Sequence, residues 1–150
     1  MAYQKTFAML KPGALQRRIV GELVSRMERK GLKIVGMKLM NVPEDLCREH
    51  YAEHKGKPFY DDLVSYVTSS PVVAMVVAGE DAIPMLRILC GATKVDQAVP
   101  GTIRGDFAAA TTKNIIHASD SPESAEREIS LWFDEAEIAE YEDPNKEWFI

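Results

Sequence analysis

Apolar and polar positions along the chain switch between a period of two and a period of three to four. Lys5 to Leu10 alternates, with Thr6, Ala8 and Leu10 on one side and Phe7, Met9 and Lys11 on the other. That spacing predicts a strand, broken by Lys11-Pro12-Gly13. Val20, Leu23, Val24 and Met27 recur at helical spacing, so a helix is expected over Val20 to Lys30, with Gly31 as its stop. Leu32 to Val42 reads as a second strand, ended by Pro43. Glu44 to His54 predicts a helix with acids in its first turn, closed by Lys55-Gly56-Lys57-Pro58, and Asp61 to Thr68 predicts another.

Pro71 to Gly79 (PVVAMVVAG) is apolar at both parities and belongs in the middle of a sheet. Ala82 to Cys90 predicts a helix carrying Arg87. Gly91 to Lys113 has little periodicity, and Pro100-Gly101 marks a turn within it; a loop this long in a compact domain is usually functional. Asn114 to Ala118 predicts a short strand. Ser121 fits an N-cap and Pro122 the first position of a helix running to about Ile138. The expected class is α/β, more narrowly α+β: a ferredoxin-like βαββαβ arrangement in which helices over one face cover a four-stranded antiparallel sheet. No repeat, low-complexity tract or linker interrupts the 150 residues, which predicts one domain over 1–150.

Composition narrows the setting. At 46% hydrophobic and 27% charged, the chain can bury a core and is not of the disordered type. Its formal net charge is −5 and no basic run stands out, so nucleic acid is not an expected partner. An anionic ligand would have to be held by a few placed cations. Cys47 and Cys90 make no disulfide framework, and MAYQKTFAML lacks the apolar core and cleavage site of a signal peptide. No stretch approaches the roughly 18 apolar residues that cross a bilayer. A cytoplasmic protein without a membrane partner is expected.

The chemistry centres on Asn114-Ile115-Ile116-His117-Ala118-Ser119-Asp120. His117 leaves an apolar strand beside a helix N-terminus, where free backbone N–H groups favour anions. A neutral imidazole is a competent nucleophile near pH 7, although an isolated histidine is more often simply hydrogen-bonded at a strand end. Glu128 lies one turn from both Ala125 and Trp132, bordering an expected buried stripe of Ala125, Ile129, Trp132, Phe133 and Ala136. A carboxylate there needs a partner. The imidazole N–H of His117 would serve, fixing the tautomer and leaving the other nitrogen as nucleophile; an exposed glutamate paired with Arg127 or water fits the spacing equally. Regular alternation puts Ile115 and His117 on one face and Asn114 on the other, so a bend is needed for both Asn114 and His117 to reach one ligand.

A rival constellation is His50-Tyr51-Ala52-Glu53-His54, which reproduces the H-x-x-E-H pattern of a zinc-peptidase class. On one helix His50 and His54 would share a face, with Cys47 one turn earlier. The metallohydrolase reading lacks a second helix with a downstream glutamate ligand. No G-x-x-x-x-G-K-[ST] is present, so a P-loop enzyme is not expected.

N-I-I-H-A-S-D-S resembles the active-site signature of nucleoside diphosphate kinases, with Ala118 where that family more often has glycine. The resemblance covers essentially the whole chain. Met9-Leu10-Lys11-Pro12, His50-Tyr51, Lys57-Pro58-Phe59, Arg87, Gly91-Ala92-Thr93 and Pro100-Gly101-Thr102-Ile103-Arg104-Gly105-Asp106-Phe107 follow in the family's order. The resemblance implies ping-pong transfer of the γ-phosphate of a nucleoside triphosphate, mainly ATP, to a nucleoside diphosphate through a pros-phosphohistidine at His117. It implies that Lys11 and Tyr51 bind near the transferred phosphoryl, and Arg87, Thr93 and Arg104 the other phosphates. Asn114 with Lys11 would touch the sugar 3′-hydroxyl, Phe59 would stack on the base, and Glu128, helped by Ser119, would orient His117. Magnesium is expected on the nucleotide phosphates without a direct protein ligand, Asp120 reaching it at most through water. A catalytically idle nucleotide-binding scaffold of the same fold is the remaining alternative. Hexamers are common in the family and tetramers occur, so a homo-oligomer is expected, a hexamer first. Val95 stands where the family often has proline, which bears on subunit contacts, and the ending Asp143 to Ile150 differs from the family's usual ones. Its two aromatics suggest docking on the body or on a neighbouring subunit.

Overall fold

The computed structural model describes residues 2–149, and its strands are β1 (Tyr3–Leu10), β2 (Lys33–Met40), β3 (Val72–Glu80) and β4 (Ile116–Ala118). They form one sheet in the order β2-β3-β1-β4, with every neighbouring pair antiparallel. This is the strand order that a βαββαβ chain needs. β3 is interior, paired with β1 from Glu80 opposite Tyr3 to Val73 opposite Leu10 and with β2 on its other side. Its unbroken apolar run is the sequence mark of that position.

Helices α1 (Val20–Arg29) and α4 (Ala82–Cys90) cover one face, burying Ala8, Leu10, Val73, Met75 and Val77. The other face is covered too, unlike the one-sided arrangement expected. Helices α2 (Glu44–His50), α3 (Tyr60–Val67) and α6 (Pro122–Trp132) bury Phe7, Met9, Val72, Ala74 and Val76 there. The reason is in β1 and β3, which are apolar at both parities. Each large apolar side chain taken from water contributes roughly 1.5–3 kcal/mol, so a bare second face would be costly.

Two helices end earlier than expected, and the loop after α4 is more ordered. α2 ends at His50; Tyr51 leaves the helix at φ −99°, ψ 23°, and Ala52–His54 form a separate 3-10 turn. The tighter turn is closed by His54 N–H to Tyr51 C=O (2.9 Å) and Lys55 N–H to Ala52 C=O (3.1 Å). α6 starts as expected, with Ser121 accepting from Ser124 N–H and Pro122 in the first turn, but stops at Trp132. Phe133 is extended and turns its ring into the core, and Asp134 opens a new turn in a capping box with Glu137, leaving Ala136 exposed. The loop after α4 holds a short helix, α5 (Ile103–Phe107), capped by Thr102 Oγ1 accepting from Gly105 N–H at 3.0 Å. Gly105 is there because a Cβ would sit 1.9 Å from the Val99 carbonyl oxygen. At the C-terminus Phe149 rests over Gly31 and the Tyr141 hydroxyl donates to Ile34 C=O, so part of the tail docks on the body. Trp148 does not, being 79% exposed.

Candidate active site

β4 is only three residues long, and its alternation sends Ile116 and Ala118 into the α1–α4 side of the core. His117 therefore points to the opposite side, opposite Met9 in the register and flanked by the rings of Phe7, His50 and Tyr51. The bend that Asn114 and His117 require is at Ile115, with φ +76°. Ile116 N–H donates to Asn114 C=O at 2.8 Å, closing a three-residue γ-turn. Ile115 thus lies on the same side of the core as Ile116, not on the side of His117 as regular alternation expects.

A β-branched residue at this φ is strained by about 1–3 kcal/mol and stands only where its surroundings over-determine it. Here they do. Lys11 N–H donates to Ile115 C=O at 2.7 Å. Arg104, 3% exposed, donates from Nε to Asn114 C=O (3.3 Å) and from its two terminal nitrogens to Gly91 C=O (2.9 Å) and Ile116 C=O (2.5 Å). The guanidinium grips the chain on both sides of the strained residue. Asn114 is fixed further by its side chain, which accepts from Lys11 Nζ at 2.9 Å and donates to Thr93 C=O at 3.3 Å.

His117 Nε2 and Glu128 Oε1 are 2.8 Å apart, and Ser119 Oγ donates to the same carboxylate oxygen at 2.6 Å. An ionised carboxylate only accepts, so His117 carries its proton on Nε2 and Nδ1 keeps a lone pair. Glu128 is buried, not an exposed partner of Arg127. Burial alone would raise its pKa, but the bonds from His117 and Ser119 outweigh that and hold it below the ordinary carboxylate value. Lys11 is pushed the other way: burial first, then the nearby Arg104 cation, lower it to about 8. Burial raises Tyr51, whose buried hydroxyl remains a neutral donor with no partner among the described residues.

The remaining candidates line the approach. Arg87, exposed on α4, donates to Ala118 C=O at 3.1 Å, beside His117. Ring centres lead outward from His117 to Tyr51 (6.2 Å), from Tyr51 to His54 (6.2 Å) and from His54 to Phe59 (5.3 Å). Phe59 is 45% exposed at the outer end, with Lys57 Nζ 5.9 Å from its ring centre. Thr93 and Asp120 are exposed. Neither His50 nor Trp132 was assigned a role in the site: Trp132 read as plain core, and His50 as part of the family motif with Tyr51 and as a zinc ligand in the rival reading. The signal was present in His50-Tyr51, since a buried tyrosine packed against His117 brings its neighbour along.

The zinc arrangement fails on backbone grounds. The helix ends between His50 and His54, so the two share no face; His54 is at the surface, Nδ1 3.1 Å from Lys57 Nζ. Burial pushes the Cys47 thiol up to about 11, far from the thiolate a metal needs. His50, His117 and Glu128 do place ligand atoms within 4.8 Å of one another. One nitrogen of each ring is already engaged, however: His117 Nε2 with Glu128, and His50 Nδ1 with the Trp132 indole at 2.9 Å.

An antiparallel ferredoxin-like sheet presenting a carboxylate-held histidine among buried cations is an arrangement suited to phosphoryl-transfer chemistry. Comparison with known proteins makes the class specific. A family model described as nucleoside diphosphate kinase matches residues 4–138. The nucleoside diphosphate kinase of Staphylococcus aureus is 57% identical over 145 residues, and that of Staphylococcus epidermidis 54%, each alignment covering 97% of both chains. Among solved structures, the halophilic enzyme of Halobacterium salinarum in complex with CDP superposes with a TM-score of 0.96 at 47% identity, covering 99% of each chain. The family protein of Babesia bovis gives 0.94 at 39%, covering 98% of this chain and 99% of its own. This chain belongs to the nucleoside diphosphate kinase family and is a nucleotide-dependent phosphotransferase.

Proposed function

We propose that the chain transfers the γ-phosphate of a nucleoside triphosphate, mainly ATP, to a nucleoside diphosphate in two half-reactions through His117. The observation that carries this is the hydrogen bond from His117 Nε2 to Glu128, which leaves Nδ1 as the one free nucleophilic nitrogen of that ring. In the first half-reaction the Nδ1 lone pair attacks the γ-phosphorus, the bond from phosphorus to the β,γ-bridging oxygen breaks, and the diphosphate leaves. The ring becomes a phosphorylated cation still bearing its Nε2 proton, and the ionised Glu128 stabilises that charge. In the second, a terminal oxygen of another diphosphate attacks the same phosphorus and the N–P bond returns its electrons to Nδ1.

Phosphoryl transfer depends on in-line placement and on cancelling charge. Lys11 and Tyr51 are assigned to the transferred group, supported by their burial near His117. Arg87, Thr93 and Arg104 are assigned to the remaining phosphates, Arg104 doing so with the part of its donor fork that the three carbonyls leave free. Asn114 and Lys11, already joined, meet the sugar 3′-hydroxyl. Phe59 offers one exposed face to the base, and stacking of this kind tolerates any base. Ser119 steadies Glu128.

Magnesium is proposed as the ion on the nucleotide phosphates. It prefers oxygen ligands and keeps waters, whereas the one cluster of metal-ligating groups among the described residues is rich in nitrogen. The residues therefore fit an ion held by the substrate, Asp120 touching it at most through water. We also read residues 1–150 as one domain that works as a homo-oligomer, a hexamer before a tetramer, in the cytoplasm, with neither nucleic acid nor membrane as partner. The net charge of −5 supports the first exclusion, and no described helix is long and apolar enough to span a bilayer.

Incubation with γ-labelled ATP tests the reading. Acid-labile, base-stable label should appear on the protein and be discharged as GTP on adding GDP, and His117→Ala should accept none. Normal exchange by His117→Ala would refute it.

A further inference from the structure

His50 lines the site, yet the reaction above gives it no task. It closes α2, is 3% exposed, and stands perpendicular to His117 with ring centres 4.5 Å apart. Trp132, the last residue of α6, donates its indole N–H to His50 Nδ1 at 2.9 Å. An indole nitrogen only donates, so Nδ1 holds a lone pair and the proton of the neutral ring sits on Nε2. Nδ1 is then the single position at which this ring can take a second proton, and it is capped. Nε2 is buried without a partner among the described residues. A buried donor with no acceptor is destabilising and calls for a reason.

We infer that Trp132 and His50 act as a proton lock beside His117, the indole keeping His50 neutral so that the Glu128 carboxylate stays with the nucleophile. The inference rests on the reading of His117 as phosphoryl acceptor. Ligand atoms of His50, His117 and Glu128 lie within 4.8 Å of one another. A cationic His50 in that cluster would compete for Glu128, breaking the hydrogen bond from His117 Nε2–H and letting the ring turn about Cβ–Cγ, so that Nδ1 leaves the line of attack. The groups facing His50 are His117 from β4, Glu128 and Arg127 from α6, Lys11 from the end of β1, and its neighbour Tyr51. Glu128 favours a proton on His50; the cations Arg127 and Lys11 oppose it. Burial first, then His117, hold the ring down to about 3. His50 is thus a positioning residue, and Trp132 acts through it.

The chain has three histidines, so the imidazole nitrogens are resolvable by 15N NMR of the 150-residue chain. In the wild type His50 should remain in the Nε2–H form from about pH 5 to pH 8, the range where free imidazole titrates. In Trp132→Phe it should titrate within that range, and phosphorylation of His117 by ATP should fall at least tenfold more than in the wild type between pH 8 and pH 5. His50→Gln cannot take a proton, and its carbonyl can accept from Trp132, so it should keep the wild-type pH dependence. A wild-type His50 protonated on Nδ1, or titrating, overturns the inference even if Trp132→Phe does not fold. So does an unchanged pH profile in Trp132→Phe. Label absent from wild-type His117 at every pH overturns the acceptor reading and the lock with it; a labelled His117 beside a titrating His50 overturns the lock alone.

Discussion

At the scale of single residues, the site depends on where three protons sit: on His117 Nε2, on Ser119 Oγ and on Lys11 Nζ. A hydrogen bond to a charged group is worth about 1.5–3 kcal/mol. Glu128→Gln removes the charge that steadies the phosphorylated ring, so it should slow phosphorylation of His117 roughly ten- to a hundredfold. Single-turnover labelling by ATP measures this, and an unchanged rate would detach Glu128 from the chemistry. Lys11, lowered to about 8 by burial and then by Arg104, is charged below that pH and neutral above it. The kcat/KM profile reports the free enzyme and should fall on the alkaline side with a midpoint near 8. Lys11→Arg keeps its charge to far higher pH, so whatever activity it retains should lack that limb. A limb at the same pH in Lys11→Arg would assign it to another group. Glu128 was half legible in the sequence: its spacing fits a partner of His117 and a surface glutamate equally, and only the direction of β4 decides between them.

Among elements, the γ-turn at Ile115 was hidden for a physical reason. Isoleucine is among the residues least suited to φ +76°, so no propensity flags it; the need for a bend was legible, its place was not. What holds it is distant in sequence, above all Arg104. Arg104→Leu removes three bonds to backbone carbonyls and should cost on the order of 3 kcal/mol or more, read as a lower urea midpoint with unchanged slope. An unaltered midpoint would mean that the turn holds itself. Gly105→Ala should destabilise as well, because its Cβ would meet the Val99 carbonyl; thermal unfolding detects it. The loop from Gly91 to Lys113 was legible as long and aperiodic but not as structured, since its order comes from Thr102 and Asp106 side chains bonding backbone N–H groups a few residues away. The break after His50, which undoes the zinc pattern, comes from Tyr51 turning into the core, a tertiary demand that local spacing does not record.

Across the whole molecule, the antiparallel ferredoxin-like plan followed from the order of strands and helices along the chain, and β3 announced its interior place. The second helical layer was legible in principle, because β1 and β3 are apolar on both faces, but the ferredoxin-like plan alone led to one. The three-layer build sets the span from His117 to Phe59 along the rings of Tyr51 and His54. A base stacked on one face of Phe59 is not read by its edges, so Phe59→Ala should raise KM for adenine, guanine and cytosine nucleotides by similar factors of about five to a hundred. A loss confined to one base would contradict that.

The central claim is that Glu128 holds one nitrogen of His117 so that the other takes the phosphoryl group. Phosphorylating protein carrying 15N-histidine with ATP at neutral pH, and reading the 31P–15N coupling, identifies the bonded nitrogen. The account predicts phosphorus on His117 Nδ1 with the Nε2 proton retained. Phosphorus on Nε2, or on any other residue, would contradict it.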